Sequence, residues 1–188
     1  MNHVFEVRDS KVVWSGFRFA MVEDQVAMPG GGTAQRIYLD HPGAVVVAAL
    51  DADDRIALIH QYRHPVRGKL WELPAGLRDV AGEDPAVTAE RELGEETDTR
   101  AATVSHLLTF HPTPGCSNER IEVFVARDLS PVPGAERHVR TDEEADLELR
   151  WWDLDEAVAA VYSGQITNGC TVAGLLAVSH QRRSQHSL

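Results

Sequence analysis

Glu92, Glu95 and Glu96 stand at i, i+3 and i+4, a spacing that brings three carboxylates within one turn onto one face of a helix. They belong to the run from Gly76 to Thr99, GLRDVAGEDPAVTAERELGEETDT, in which acidic side chains outnumber the arginines Arg78 and Arg91 and no lysine occurs. The helix signals are good. Asp84 can cap the N-terminus, Pro85 suits the first helical position, and Ala86, Ala89, Leu93 and Thr97 form a stripe able to face a core. The three glutamates then fall in the second half of the helix, where they oppose the macrodipole and each other at roughly 0.2–1 kcal/mol per unfavourable pairing. A cation on this face would relieve them. Mg²⁺ takes oxygen ligands and binds through a few carboxylates plus substrate phosphates, so the spacing points either to a metal site or to a solvated acidic face.

The segments that must position this helix can be read from their patterns. Ala44 to Leu50 is a continuous apolar run, expected as a strand buried on both faces, and after a turn at Asp51 to Asp54 the run Arg55 to Tyr62 is expected to pair with it. Trp71 to Gly76 leads into the acidic helix. Further strands are expected at Ala102 to Phe110, Ile121 to Arg127 and Leu147 to Trp152, and helices at Leu154 to Ser163 and about Cys170 to Gln181. Val4 to Asp40 alternates apolar and polar residues, with turn signals at Asp9-Ser10 and Pro29-Gly30-Gly31-Gly32. It reads as two or three antiparallel strands with too little apolar surface for a core of their own. The expected division is an N-terminal β element over 1–40, a main α/β domain over 41–183 and a polar tail over 184–188, with the chain fraying from Gln181 and His180 and His186 holding no metal.

A chain of 188 residues suffices for one domain with a proper core, with or without a small appendage. The net charge of −11 argues against a nucleic-acid surface, and an acidic protein acting on an anionic substrate would need metal ions to bridge like charges. Cys116 and Cys170 are too few for a disulfide framework, which suits a reducing cytoplasm, and Cys116 reads as a small side chain without chemistry. The longest apolar run, Ala44 to Leu50, falls far short of the roughly 20 residues of a membrane span, so a cytosolic protein without a membrane segment is expected.

The order of the acidic run resembles the Nudix box, G-x5-E-x7-R-E-U-x-E-E-x-G-U with U aliphatic. Gly76, Glu83, Arg91, Glu92, Leu93, Glu95 and Glu96 all fall in its order. Three departures stand out: six residues rather than five separate Gly76 from Glu83, Asp98 stands where the family has glycine, and Thr99 stands where it has an aliphatic residue. An extra loop residue can be absorbed ahead of the helix, and Asp tolerates a left-handed helix end. The flanks narrow the resemblance. His41-Pro42-Gly43-Ala44-Val45, Gln61-Tyr62-Arg63, Trp71 to Gly76, Pro114-Gly115-Cys116-Ser117-Asn118-Glu119 and Asp142 to Asp146 are similar to the ADP-ribose pyrophosphatase branch.

That resemblance implies a Nudix α/β/α sandwich with a mixed sheet, preceded by a small N-terminal antiparallel sheet. It implies Mg²⁺-dependent hydrolysis of ADP-ribose to AMP and ribose 5-phosphate, with Mn²⁺ as a substitute. Glu92, Glu95 and Glu96 would hold the metal with the Ala75 carbonyl, and Glu83 and Arg91 would shape or complete the site. The acidic loop would carry the general base, Glu143 by register with Glu144 in reserve. Arg63 and Arg36 would bind the diphosphate, Glu119 the ribose, and Phe17 and Phe19 the adenine. Blander roles stand beside these: a surface arginine at a strand end, a glutamate paired with Arg120 or Arg127, aromatic residues of a core, a solvated acidic loop. Trp71, Trp151 and Trp152 are expected to pack. The resemblance also implies a homodimer with exchanged N-terminal strands. Two other functions are compatible with it, hydrolysis of another nucleotide sugar such as ADP-glucose and non-catalytic sensing of ADP-ribose.

Overall fold

The computed structural model describes residues 3–141 and 146–185. The chain divides into two compact units, Met1–Gly43 with His111–Arg120, and Ala44–Phe110 with Ile121–Leu188.

The first unit is an antiparallel sheet of β1 (Val7–Ser15), β2 (Ala20–Ala27) and β3 (Thr33–Asp40) in the order β1-β2-β3. Asp9-Ser10 is not a turn. Both residues lie inside β1, where a register shift between Val7 and Asp9 absorbs the irregularity, and the reversal comes later, where the Gly16 N–H donates to the Phe19 carbonyl. The second turn falls where the glycines require it. Gly30, Gly31 and Gly32 have φ of 87°, 98° and 79°, a region open to residues without a Cβ. All of β1 is exposed, and Val22 is the one apolar residue of the three strands that is fully buried among those described. The loop His111–Arg120 joins this unit by backbone pairing: the Leu39 N–H donates to the Cys116 carbonyl and the Asn118 N–H to the Leu39 carbonyl.

The second unit is the sandwich. Its strands are β4 (Ala44–Ala49), β5 (Arg55–Arg63), β6 (Gly68–Glu72), β7 (Ala75–Leu77), β8 (Thr99–Phe110), β9 (Ile121–Pro131) and β10 (Glu148–Asp153), and its helices are α1 (Pro85–Thr97), α2 (Leu154–Tyr162) and α3 (Gly169–Gln185). A mixed sheet runs β7-β4-β9-β8, parallel between β4 and β9, and an antiparallel sheet runs β10-β5-β6. β4 explains the layering. Val45, Val47 and Ala49 pack with Ala89 and Leu93 of α1, while Ala44, Val46 and Ala48 pack with Leu154, Ala157, Leu175 and Val178 of α2 and α3. A strand covered on both faces has no solvent side to mark with polar residues, hence the unbroken apolar run.

β5 follows β4 but does not pair with it. The bridge Leu50↔Ile56 and a bond from the Asp51 N–H to the Arg55 carbonyl close that hairpin, and β5 takes the centre of the second sheet, because β4 gives its two edges to β7 and β9. α3 also runs past Gln181 to Gln185, where Arg182 pairs with Asp155 of α2 and anchors the last turn.

The turn between β4 and β5 is held by one side chain. Asp51 Oδ1 accepts from the N–H groups of Asp53 and Arg55, both at 2.9 Å, and Oδ2 accepts from Arg55 Nε at 2.8 Å. Burial alone would push the carboxyl up, but those hydrogen bonds and the Arg55 charge together hold it below the usual carboxylate value. A group whose pKa is lowered on folding contributes stability above its unfolded value, near 3.8, and loses it as the pH falls through the folded one. Asp51→Ala is therefore expected to cost about 1–2 kcal/mol at pH 7, by loss of backbone partners. Urea titrations at pH 7 and pH 3 check this, since a gap of the same size at both would remove the carboxylate from the account.

Candidate active site

α1 begins as its sequence dictates. Asp84 Oδ1 accepts from the Ala86 N–H at 2.8 Å and Pro85 opens the first turn. Thr88, Ala89, Leu93, Glu96 and Thr97 are its buried residues, so the apolar stripe carries Glu96 inward with it. The helix ends at Asp98, whose φ of 54° and ψ of 32° are left-handed, where the family pattern has glycine.

The carboxylates of α1, and Glu83 just ahead of it, meet three kinds of partner. Arg91 Nη1 lies 2.6 Å from Glu92 and 3.4 Å from Glu95, and its Nη2 lies 3.5 Å from Glu83. Glu96, 6% exposed, accepts from the Ala75 N–H at 2.9 Å. The Ala75 amide thus ties β7 to this helix. Glu83 also accepts from the Thr88 hydroxyl at 2.8 Å. Arg91 answers the expectation of a cation on the acidic face from within the helix itself. Burial draws its pKa down, but Glu92, Glu95 and Glu83 outweigh this and raise it, so the guanidinium stays charged.

Gly76 has a steric reason in this arrangement. A Cβ there would stand 1.9 Å from Glu92 Cδ, so only glycine lets the Glu92 carboxyl lie against β7. Among the described residues, no group of three or more His, Cys, Asp or Glu side chains forms a ready ligand cage. Arg91 stands among the carboxylates and draws them to itself. The donors nevertheless suit a hard divalent cation: carboxylate oxygens alone, converging on one cationic group, with Glu92 seated in the space that Gly76 leaves.

Other residues of this unit complete the electrostatics. Arg63 gives Nε and Nη2 to Glu72, at 3.0 Å and 2.7 Å, and Glu72 is 2% exposed and also takes the Gln61 amide. The donor fork expected to face a diphosphate is thus turned onto a buried carboxylate. Arg78 Nη1 lies 2.9 Å from Glu122 of β9, which is itself buried. Arg140 reaches the end of α1, its Nε donating to the Glu95 carbonyl at 3.0 Å and its Nη2 lying 3.1 Å from the Asp98 carboxylate. Sequence reading passed over Glu72, Glu122 and Arg140. Glu122 had a signal, a charged residue inside the apolar start of β9, whereas Glu72 merely closes β6. Arg140 had none. Trp71 and Trp152 pack edge to face at 5.3 Å, as expected of them. Glu143 and Glu144 lie outside the described residues.

In the first unit, Phe17 is 92% exposed, beneath the Arg18 guanidinium at 4.8 Å, and does not enter a core. Phe19 stacks on His41 with centroids 4.8 Å apart and lines a concavity of about 340 Å³ with Arg18, Asp40 and His41. His41 Nε2 lies 3.5 Å from Glu119, and the Asn118 side chain bonds both the His41 N–H and Asp40. Glu119 thus has a histidine beside its carboxylate. Arg36 donates to the Gln35 carbonyl and lines a second concavity, of about 270 Å³, with the exposed Cys116.

The NUDIX domain family matches residues 40–168. An ADP-ribose pyrophosphatase of Mycobacterium tuberculosis is 44% identical over 177 residues, which cover 94% of this chain and 84% of that protein. A methanol dehydrogenase activator of Bacillus methanolicus is 34% identical over 188 residues, 99% of this chain and 100% of that one. The crystal structure of an ADP compounds hydrolase superposes with a TM-score of 0.81 at 21% identity, covering 99% of this chain and 98% of that one. This last likeness is one of fold.

Proposed function

The chain belongs to the NUDIX family, and from that premise we propose that it hydrolyses the diphosphate bond of ADP-ribose to AMP and ribose 5-phosphate, with Mg²⁺ as cofactor and Mn²⁺ as substitute. The observation that carries the reading is α1 itself, with Glu92, Glu95 and Glu96 on one helix and Gly76 making room for the first of them. These three would hold the metal, while Arg91 and Glu83 keep the ligand side chains in place. When bound, the metal neutralises the diphosphate and stabilises the leaving phosphate.

The remaining roles fall to the chain's own residues. A carboxylate of the acidic stretch, Glu143 first and Glu144 second, takes the proton of the attacking water. Water oxygen bonds to phosphorus as the bridging P–O bond breaks, and the proton ends on the departing phosphate. Phe19 beside His41 offers a stacking surface for adenine, Phe17 an exposed one, and Glu119 an acceptor for ribose hydroxyls. Arg36 and Arg63 are the phosphate donors, the latter by exchanging Glu72 for substrate.

A panel of nucleoside diphosphate sugars with Mg²⁺ and Mn²⁺, products separated by chromatography, tests the reading. ADP-ribose is expected to give the highest kcat/KM. Faster turnover of ADP-glucose or GDP-mannose would reassign the substrate, and metal-dependent binding without products would make the protein a sensor.

The assembly proposed is a homodimer in the cytoplasm. The exposed apolar side chains of β1 and its flanks, among them Val12, Trp14 and Phe17, support it, and no helix among the described residues is long and apolar enough to cross a membrane. Removal of residues 1–40 is expected to cost both dimerisation and substrate affinity, and an active truncated monomer in sedimentation would overturn the proposal.

A further inference from the structure

α1 ends in a way that its own sequence leaves unfinished. The last four carbonyls of a helix lack intrahelical partners and carry the negative end of the macrodipole, yet the last turn of α1 contains no basic residue and does contain Glu95 and Glu96. The missing cation comes from a distant part of the chain. Arg140 Nε donates to the Glu95 carbonyl at 3.0 Å and Nη2 meets the Asp98 carboxylate at 3.1 Å, so one planar fork bridges two residues of the helix end. Both side chains are about three-quarters shielded from solvent, at 25% and 26% exposure. The Asp98 carbonyl accepts in turn from the Val132 N–H at 2.8 Å, and Arg137 Nε donates to the Val132 carbonyl at 3.3 Å.

This gives Asp98 a purpose beyond tolerance of its backbone. At φ 54° glycine would be the freer choice, although Asp is among the few residues with a Cβ that tolerate this conformation, as Asp54 and Asp128 also do at φ 56°. A residue that is worse for the backbone and provides the carboxylate for a shielded arginine is explained by that pairing. Arg140 stands in sequence directly ahead of the acidic stretch from which the general base is proposed. We propose that Asp98 and Arg140 form a clasp that positions the catalytic apparatus, fixing the turn of α1 that carries Glu95 and Glu96 and tying residues 137–141 to it. The inference rests on the hydrolase reading above for its effect on rate, but not for the tie itself.

The test uses the full-length protein with Asp98→Gly, Asp98→Asn, Arg140→Gln and the double variant Asp98→Gly with Arg140→Gln. Two readouts are taken, steady-state kinetics with ADP-ribose and Mg²⁺ and amide hydrogen exchange over residues 137–141. Asp98→Gly relaxes the left-handed residue, so the helix end is retained and any loss reports on the clasp. The expected kinetic result is a fall in kcat of about tenfold in Asp98→Gly and in Arg140→Gln, with KM within twofold of wild type, as for a misplaced rather than a missing group. The double variant should be no worse than the poorer single one, because both remove the same interaction. Asp98→Asn, which keeps an oxygen facing the guanidinium, should retain at least half of kcat.

Exchange over 137–141 should rise in Asp98→Gly and Arg140→Gln and stay near wild type in Asp98→Asn. Full kcat in both single variants, equal loss in the glycine and asparagine variants, or additive losses in the double variant would each overturn the clasp. A wild-type protein that hydrolyses no nucleoside diphosphate sugar would sink the functional reading instead. The exchange measurement then decides the tie alone, with an unchanged rate at 137–141 overturning it.

Discussion

Glu96→Gln is expected to reduce turnover of ADP-ribose by about 10²-fold or more, since removal of partners one shell further out already costs about 10–100-fold. The glutamine is nearly isosteric, and its amide oxygen can still accept from the Ala75 N–H that Glu96 binds at 2.9 Å. That buried hydrogen bond is kept, while the charge that a divalent cation would need is gone. Glu92→Gln is expected to match it in activity but not in stability. On sequence grounds both substitutions relieve carboxylate repulsion and would leave the fold as stable or slightly more so. The structure separates them, because Glu92 is paired with Arg91 at 2.6 Å and the loss of that partly exposed pair costs up to about 1 kcal/mol. Thermal melts in metal-free buffer beside steady-state rates check both. A large fall in melting temperature for Glu96→Gln with activity retained would make the residue structural.

Glu143→Gln is expected to cut kcat by about 10²–10⁴-fold, the range of a general base, while KM and Mn²⁺ affinity change little. The assignment comes from register with the ADP-ribose pyrophosphatase branch, counted back from Asp146 just ahead of β10, where the exposed Asp146 carboxylate pairs with Lys69, Nζ to Oδ2 at 2.6 Å. If Glu144→Gln loses activity while Glu143→Gln keeps more than half, the register is off by one. If neither matters, Glu83 and Glu95 are next. Both are partners of Arg91, so their replacement would also be visible in stability.

Local chemistry carried the sequence reading furthest. The cap at Asp84, the proline at the helix start, the stripe through Ala89 and Leu93 and the left-handed residue at Asp98 are all decided within a few bonds of the residues concerned, and all appear in α1 as read. β4 was equally plain, because a strand packed between α1 on one face and α2 and α3 on the other must be apolar throughout. The glycine run at 30–32 set one turn of the N-terminal sheet by itself, since three successive positive φ values admit little else. Asp9-Ser10 misled for the complementary reason. Turn-forming residue types report a preference, and β1 overrode it by pairing with β2 along its whole length, with a register shift in place of a reversal.

What only the tertiary structure decided is partnership across distance. Strand order depends on which edges are already taken, so nothing in Arg55 to Arg63 announces that this strand leaves β4 for the second sheet. The same holds for charge. Sequence spacing put Glu92, Glu95 and Glu96 on one face and asked for a cation, and Arg91 was expected to shape that site, but nothing named Arg140 as the group that closes the helix end. It offered Arg63 as a donor fork suited to a diphosphate and did not name the buried Glu72, nine residues on, as a partner of that fork. Periodicity and capping are written in neighbours along the chain. Ion pairs and strand neighbours are chosen by folding, which brings together groups that the sequence holds 9, 44 or 45 residues apart.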